Sequence, residues 1–386
     1  MSLIYFDNAA TRRVRDEVFE EMRPFLAEAY GNPSSVYGIA RENKKALDLA
    51  RSRLAGAIGA GPEEIFFTGS GTEADNWAII AWAEKNADKG SHIITSAIEH
   101  HAVLHSCEYL EKRGFSVTYL PVDAGGLVSP ADLEKALTNE TILVSVMAAN
   151  NEIGTVQPVA ELGAIARARG AAFHTDAVQA LGQIPVDVKA MNVDMMSLSA
   201  HKVHGPKGVG ALYVRKGLRL PPFIHGGGQE RGKRAGTENV AGIAGFGKAA
   251  ELAVSELPRE ASRLAALRER LINGILRNIP DCRVNGHREK RLPGNANISF
   301  DYIEGEAMLL MLDMKGICAS SGSACTSGSL DPSHVLLALG LPHEKAHGSL
   351  RFSLGRYNTE EEVDAVIAAL GPIVERLRAM SPLAKK

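Results

Sequence analysis

Cys325 lies in a run of ten residues, Ser320 to Ser329, in which no side chain is large and apolar. A free cysteine usually packs as a small hydrophobic residue, but a run of serine and glycine is typical of a surface loop. The thiol is therefore either a reactive nucleophile or a tolerated surface cysteine, because reactivity requires an accessible and activated thiolate. This segment alone leaves both interpretations open.

A second chemical signal is the sequence Thr68-Gly69-Ser70-Gly71-Thr72-Glu73, which follows a predicted strand and precedes a predicted helix. Free backbone N–H groups, the Thr72 hydroxyl and the helix dipole favour an anion such as phosphate at this position. Simple capping of the helix by Thr72 explains the same residues equally well. The segment lacks both the GxGxxG spacing and the P-loop lysine, so neither of those nucleotide-binding motifs is present.

Asp176 and Lys202 each follow an apolar run that we predict to be a strand. Burying a carboxylate at the end of such a strand is costly unless it faces a cation or several donors. The partner of Asp176 is either a structural group or a ligand. Lys202, within Ser199-Ala200-His201-Lys202, lies at the mouth of the predicted sheet rather than on ordinary solvated surface.

Metal binding is the weaker interpretation of the histidines and cysteines. His101 and His105 have the i, i+4 spacing of a helical zinc pair, but the sequence supplies no evident third ligand. Cys318 and Cys325 lack zinc-type spacing and nearby histidines. We therefore predict no metal site.

One ligand would satisfy the polar groups that follow the predicted strands. Pyridoxal phosphate takes a lysine for its aldehyde, an acid for its ring nitrogen, a side chain stacked on its ring and a cup for its phosphate. The chain supplies Lys202, Asp176, His100 and Gly71-Thr72 in those roles. Each motif is weak alone, but the combination predicts a site for this cofactor.

The composition of the whole chain excludes several other classes of function. The chain has 386 residues, a formal net charge of -2 and no block of five like charges, so neither nucleic acid nor a membrane surface is a predicted partner. Its four cysteines are too sparse for a disulfide framework, and no run of apolar residues is long enough to cross a membrane. We expect a cytoplasmic protein.

The order of predicted elements indicates an α/β fold with a mostly parallel sheet of seven strands, which places ligands at the carboxyl ends of the strands. The predicted strands are 64–68, 92–96, 116–120, 142–147, 171–175, 194–199 and 209–214, and the helices between them are 73–86, 102–113, 130–137 and 159–169. A smaller α+β domain should contain helices 258–277 and 360–378 and strands 296–300 and 350–353. We predict a large domain of residues 16–256 and a small domain of residues 1–15 and 257–386.

The sequence resembles the cysteine desulfurases of the nitrogen-fixation and iron–sulfur assembly type. The resemblance covers nearly the whole chain, and its most specific motifs are GNPSS from Gly31, EHHAV from Glu99, NNEIG from Asn150, DAVQ from Asp176, SAHKVHGPKG from Ser199, RAGTEN from Arg234, SSGSACTSGSL from Ser320 and RFSLGRYNT from Arg351. It implies the fold of type I pyridoxal phosphate-dependent transferases, as a homodimer with active sites at the interface.

The resemblance also implies a role for each matching residue. Lys202 would hold the cofactor, Asp176 would pair with its ring nitrogen, and His100 would stack on its ring. The remaining cofactor contacts would come from Gly71, Thr72, Asn151, Gln179, Ser199, His201 and, from the second subunit, Thr237.

For the reaction, the resemblance implies that Arg351 binds the carboxylate of L-cysteine, with Asn151 nearby, and that Lys202 removes the Cα proton. Cys325 would attack the substrate sulfur, become a persulfide and leave alanine as the product. An iron–sulfur scaffold protein would then receive the sulfur. Cys325 could also be a transient iron–sulfur ligand.

Three departures from housekeeping members of that family concern the sulfur acceptor. His101 and His204 stand where those members often have lysine and tyrosine, and only five residues follow Ser381. These features favour a nitrogen-fixation type and leave the acceptor open.

Other functions predict different observations. A selenocysteine lyase or an aminotransferase of the same fold would need no nucleophilic thiol. A hydrolase pairing Cys325 with a histidine, or a non-catalytic binding module, would need no cofactor.

Overall fold

The computed structural model describes residues 3–321 and 332–382. Its strands are β1 (Ile4–Tyr5), β2 (Ile65–Thr68), β3 (His92–Ser96), β4 (Ser116–Leu120), β5 (Thr141–Ser145), β6 (Ala172–Asp176), β7 (Met195–Ser199), β8 (Gly210–Val214), β9 (Cys282–Asn285), β10 (Asn295–Phe300), β11 (Ile317–Cys318) and β12 (Ser349–Ser353). Its helices are α1 (Asp16–Met22), α2 (Pro24–Ala27), α3 (Gly38–Ala57), α4 (Gly71–Asn76), α5 (Trp82–Lys85), α6 (His101–Glu111), α7 (Pro130–Ala136), α8 (Val159–Ala168), α9 (Gln229–Gly232), α10 (Val240–Asn278), α11 (Gly305–Asp313), α12 (His334–Ala338), α13 (His343–His347) and α14 (Glu360–Met380).

A seven-stranded sheet forms the centre of the larger part of the molecule, in the order β2-β8-β7-β6-β5-β3-β4. The neighbouring strands β7, β6, β5, β3 and β4 pair in parallel in this order, whereas β8 is antiparallel to both β7 and β2. The predicted mostly parallel sheet of seven strands is therefore confirmed.

Side chains alternate between two apolar clusters on opposite faces of this sheet. Ile94 packs in one cluster with Val144, whereas its neighbour Ile93 packs in the other with Leu143. Successive side chains of a strand point to opposite faces, so both faces must be covered by helices. The carboxyl ends of β3, β5, β6 and β7 consequently open at one edge of a buried sheet.

The second part of the molecule contains the three-stranded antiparallel sheet β12-β10-β9 and the short parallel pair of β1 and β11. Its separate apolar cluster includes Phe6, residues of α10 from Leu264 onward, and α14. This matches the predicted small α+β part. The division at residues 256–257 stays a prediction, because α10 runs continuously through that point.

The largest difference from the prediction concerns α10, which was expected to begin at Pro258. It begins at Val240 and extends over 39 residues, with Pro258 inside it. Its first turns are rich in glycine, which favours a loop in sequence-based prediction. Here the glycines allow close packing instead: a Cβ on Gly247 would lie 2.8 Å from the Cβ of Ala50 on α3.

The predicted helix 73–86 is interrupted in the structure. It consists of α4, a π-helical stretch at Trp77–Ala81 and α5. π-Helical turns inside helices are often found near functional sites. No helix among the described residues is long and apolar enough to cross a membrane.

Gly247→Ala should destabilise the protein, because the added methyl group meets the backbone and side chain of Ala50. Overpacking of this kind costs about 1–3 kcal/mol, which thermal or urea denaturation would measure. Gly56→Ala is the matched control, since nothing lies within 4 Å of a Cβ at that helical position. A Gly247→Ala variant as stable as the Gly56→Ala variant would contradict this close packing.

Candidate active site

Lys202 lies in a single 3₁₀ turn that follows β7 directly. Its Nζ donates hydrogen bonds to the carbonyl oxygens of Ala9 and Ala10, at 2.6 and 2.7 Å. The carbonyl of Ala9 also accepts from Nε2 of Gln179 at 3.0 Å. The N-terminal segment therefore brings Lys202 and Gln179 together.

Asp176 is the last residue of β6 and is buried. One of its oxygens accepts from the backbone N–H of Val178 at 2.9 Å. Burial raises the pKa of Asp176 to about 6, although this N–H and the nearby charge of Lys202 act in the opposite direction. A cationic partner would therefore favour the ionised carboxylate.

His100 caps the N-terminus of α6, and its Nδ1 accepts from the backbone N–H of Ala102 at 3.1 Å. Burial, reinforced by Lys202, lowers the pKa of His100 to about 4. A neutral ring whose Nδ1 accepts carries its hydrogen on Nε2. Ligand atoms of His100, Asp176 and Asp75 all lie within 4.8 Å of one another.

The loop before α4 caps its helix with a different residue from the one predicted, and its role as an anion site stays a prediction. The helix is capped by Ser70, whose Oγ accepts from the N–H of Glu73 at 3.1 Å, and not by Thr72 as the alternative required. Thr72 is exposed, so its hydroxyl can face a ligand. A Cβ on Gly71 would lie 2.8 Å from the side chain of Val178, which explains the glycine.

Ser199 and His201 approach the same region from the end of β7. Ser199 is buried beside Gly71, and Nδ1 of His201 lies 3.1 Å from the hydroxyl of Thr11. Burial lowers the pKa of His201 to about 4, so the ring is neutral at pH 7. The exposed Thr237 lies on a different segment, and its predicted contact across a subunit interface stays a prediction.

Arg351 extends from β12 and is buried. Its two terminal nitrogens donate to Asp7 at 2.8 Å and to the carbonyl of Asn151 at 3.1 Å. Its Nε has no hydrogen-bond partner among residues 3–321 and 332–382. A buried guanidinium N–H without a partner is a ready donor for a carboxylate.

Comparison with known proteins agrees with this geometry. The aminotransferase class-V family model matches residues 4–366. The cysteine desulfurase IscS of Methanosarcina thermophila is 58% identical over 383 residues, which cover 99% of this chain and 95% of that protein. The chain belongs to the cysteine desulfurase family.

Two solved structures support this membership at the level of the fold. A NifS-like protein is 43% identical, with a TM-score of 0.92 over 97% of this chain and 100% of its own. The protein SspA, solved in complex with cysteine, is 39% identical, with a TM-score of 0.82 over 92% of this chain and 100% of its own. The predicted fold of type I pyridoxal phosphate-dependent enzymes is thereby confirmed.

The residues present fit the cofactor that enzymes of this family use. The amine of Lys202, the carboxylate of Asp176 and the ring of His100 converge, and Gly71 leaves backbone accessible next to Ser199. The ligand atoms of Asp75, Asp176 and His100 also lie close enough together for a metal ion. The cofactor accounts for Lys202 as well as for Asp176 and His100, whereas a metal ion would use only the acids and the histidine.

Cys325 lies outside the described residues, but both neighbouring segments lead to this cysteine desulfurase site. Ser320 exchanges two backbone hydrogen bonds with Arg351. On the other side, Ser333 caps α12 and donates to the carboxylate of Glu152 at 2.7 Å.

Three buried acids near the site were missed as functional candidates: Asp75, Glu99 and Glu152. Glu99 accepts from the hydroxyl of Ser96 and from the N–H of Met147, which joins the ends of β3 and β5. Glu99 and Glu152 directly adjoin the predicted residues His100 and Asn151. Their adjacency to these residues could have marked them as candidates in the sequence, but their burial is visible only in the tertiary structure.

The structure also adds a third histidine to the pair on α6. The ring of His334 lies 4.9 Å from that of His101, which in turn lies 5.1 Å from the ring of His105. Nε2 of His334 lies 3.0 Å from the carbonyl of Glu99.

Glu99→Gln should flatten the pH dependence of apoprotein stability. Burial raises the pKa of Glu99 to about 8, whereas an unfolded glutamate titrates near pH 4.3. Between these values only the folded state holds the proton, so stability falls as pH rises. Chemical denaturation at about pH 5 and about pH 8 should show that the free energy of unfolding falls less between these values in Glu99→Gln than in the wild type.

The exposed carboxylate of Glu108, on α6, provides the control Glu108→Gln. The stability of Glu108→Gln should depend on pH as that of the wild type does. If Glu99→Gln also matched the wild type, Glu99 would not carry a proton in the folded protein.

Proposed function

We propose that this protein removes sulfur from L-cysteine with pyridoxal phosphate as cofactor, giving L-alanine and a persulfide on Cys325. The observation that carries the proposal is the convergence of Lys202, Asp176 and His100 where β7, β6 and β3 end. Membership of the cysteine desulfurase family supports the same reaction.

In this proposal Lys202 holds the cofactor and later moves a proton at the Cα atom of the substrate. Pyridoxal phosphate, when bound, supplies an electron sink that stabilises negative charge at that carbon. Asp176 would favour the protonated ring nitrogen, and His100 would lie against the ring. Further contacts would come from Gln179 and Asn151, and the phosphate would be held by Gly71, Thr72, Ser199, His201 and the partner-derived Thr237.

The substrate carboxylate would bind Arg351, beside Asn151. The unpartnered Nε of this buried guanidinium supports that role. The ion pair with Asp7 and the bond to the Asn151 carbonyl fix the orientation of the arginine before substrate arrives.

The transfer of sulfur from L-cysteine to Cys325 needs no added oxidant or reductant. The thiolate of Cys325 attacks the sulfur of L-cysteine, an S–S bond forms, and the C–S bond breaks. The electron pair of the broken bond stays with the carbon skeleton, which is protonated to alanine. The sulfur of Cys325 is oxidised to a persulfide, while the substrate carbon is reduced.

We propose a cytoplasmic homodimer that passes its sulfur to an iron–sulfur scaffold protein. The exposed apolar side chains of Tyr30, Val36 and Tyr37 support an interface near the GNPSS motif. The nitrogen-fixation type suggested by His101 and His204, and the role of Cys325 as a transient cluster ligand, stay predictions.

Two substitutions separate cofactor binding from sulfur transfer. Lys202→Ala reconstituted with pyridoxal phosphate should lose the visible absorbance of the lysine-bound cofactor. Cys325→Ala should keep that absorbance but form no protein persulfide and release no stoichiometric alanine. Cys282→Ala is the control and should behave as the wild type. A persulfide that persists on Cys325→Ala would refute the assigned nucleophile.

Arg351→Lys should weaken substrate binding while the cofactor remains bound. Lysine cannot reproduce the forked guanidinium geometry. Loss of a charge-assisted hydrogen bond costs about 1.5–3 kcal/mol, or roughly tenfold to hundredfold in KM for L-cysteine. Steady-state alanine release at varied L-cysteine would measure this KM, and Arg270→Lys, at an exposed arginine, is the control. An unchanged KM would exclude Arg351 from carboxylate binding.

A further inference from the structure

Asp75 is a second buried acid next to Asp176. It lies on α4, is 1% exposed and packs beneath the predicted phosphate loop. Ligand oxygens of the two acids lie within 4.8 Å of each other. Two carboxylates this close in a buried region cannot both ionise without strong repulsion.

The surroundings of Asp75 offer little to stabilise a negative charge. Its Oδ1 has no hydrogen-bond partner among the described residues. Nε2 of His174 lies 3.7 Å away, but the two nitrogens of that ring already contact Ser197 and Ser145, at 3.0 and 2.8 Å. Burial lowers the pKa of His174 to about 3, so the ring adds no positive charge.

The other titratable groups that face Asp75 also oppose its ionisation. They are Asp176 at the end of β6 and, once it is itself ionised, Glu99 after β3, and only the hydroxyl of Ser197 acts in the other direction. His100, which lies in the same cluster, is neutral. Asp176, in contrast, has the N–H of Val178 and the charge of Lys202 beside it.

We propose that Asp75 is a neutral carboxylic acid in the folded protein, beside an ionised Asp176. The pair then carries a single negative charge, which resides on Asp176. That charge matches the one positive charge of a protonated ring nitrogen. This part of the inference rests on the proposed function, whereas the protonation of Asp75 itself does not.

The pH dependence of apoprotein stability tests the protonation directly. A neutral Asp75 takes up one proton on folding at a pH above the ordinary titration of aspartate, near pH 3.9, and below its own raised pKa in the folded protein. Between about pH 5.5 and about pH 7.5, the unfolding equilibrium constant should therefore rise about tenfold more per pH unit in the wild type than in Asp75→Asn. The surface variant Asp132→Asn should keep the wild-type slope.

Equal slopes in the wild type and Asp75→Asn would overturn the proposal, because Asp75 would then be ionised in both states. Asp75→Ser is the second variant if the asparagine protein does not fold, and it should show the same reduction in slope. Both variants remove the titratable group without adding volume.

The cofactor provides the second readout. A neutral Asp75 predicts that Asp75→Asn binds pyridoxal phosphate with a spectral pH titration like that of the wild type, since the asparagine is neutral and of similar shape. A midpoint displaced by about one pH unit, a tenfold change in proton affinity, would show that Asp75 contributes a charge. Asp176→Asn is the positive control and should displace it. A wild-type protein without visible absorbance would refute the proposed function, and the apoprotein slopes would still decide the protonation of Asp75.

Discussion

Burying the carboxylate of Asp176 at the end of a central parallel strand is the constraint on which the rest of the site depends. A parallel sheet covered on both faces brings several strand ends into one region that is poor in water, where an unpaired charge is costly. The chain compensates with the N–H of Val178 and the ammonium group of Lys202. That ammonium group donates to the carbonyls of Ala9 and Ala10, so the N-terminal segment helps to position the positive charge near Asp176.

The same N-terminal segment connects the two parts of the molecule. Asp7 forms an ion pair with Arg351 on β12, and the N–H of Ala9 donates to Ser353 on the same strand at 2.8 Å. The hydroxyl of Thr11, a few residues further, contacts His201. The groups proposed for substrate and for cofactor are therefore bound to a single stretch of backbone. A change in the position of β12 relative to the large sheet would be transmitted to Lys202 through bonds that are visible in the structure.

The sequence predicted the strands of the large sheet almost to the residue, because buried parallel strands are short apolar runs whose ends carry the polar groups. It failed where a residue's role depends on what packs against it. The glycines at the start of α10 favoured a loop in the sequence, whereas in the structure Gly247 is small because it packs against Ala50. Ser70, not Thr72, caps α4, and this choice depends on the backbone conformation at Ser70. Asp75 has the spacing of an ordinary first-turn acid, and only the position of β6 reveals it as a neighbour of Asp176.

Burial shifts the pKa values of the acids and bases of the site in opposite directions, and both effects reduce the number of charged groups. It lowers the pKa values of His100 and His201 and raises those of Glu99 and Asp176. Neutral imidazoles and acids donate hydrogen bonds without repelling a charged ligand. A ligand with a phosphate, a cationic ring and a carboxylate would therefore meet mostly oriented dipoles. Among the groups proposed to contact it, Asp176 would place a full charge opposite the cationic ring and Arg351 one opposite the substrate carboxylate, while Lys202 would hold the cofactor.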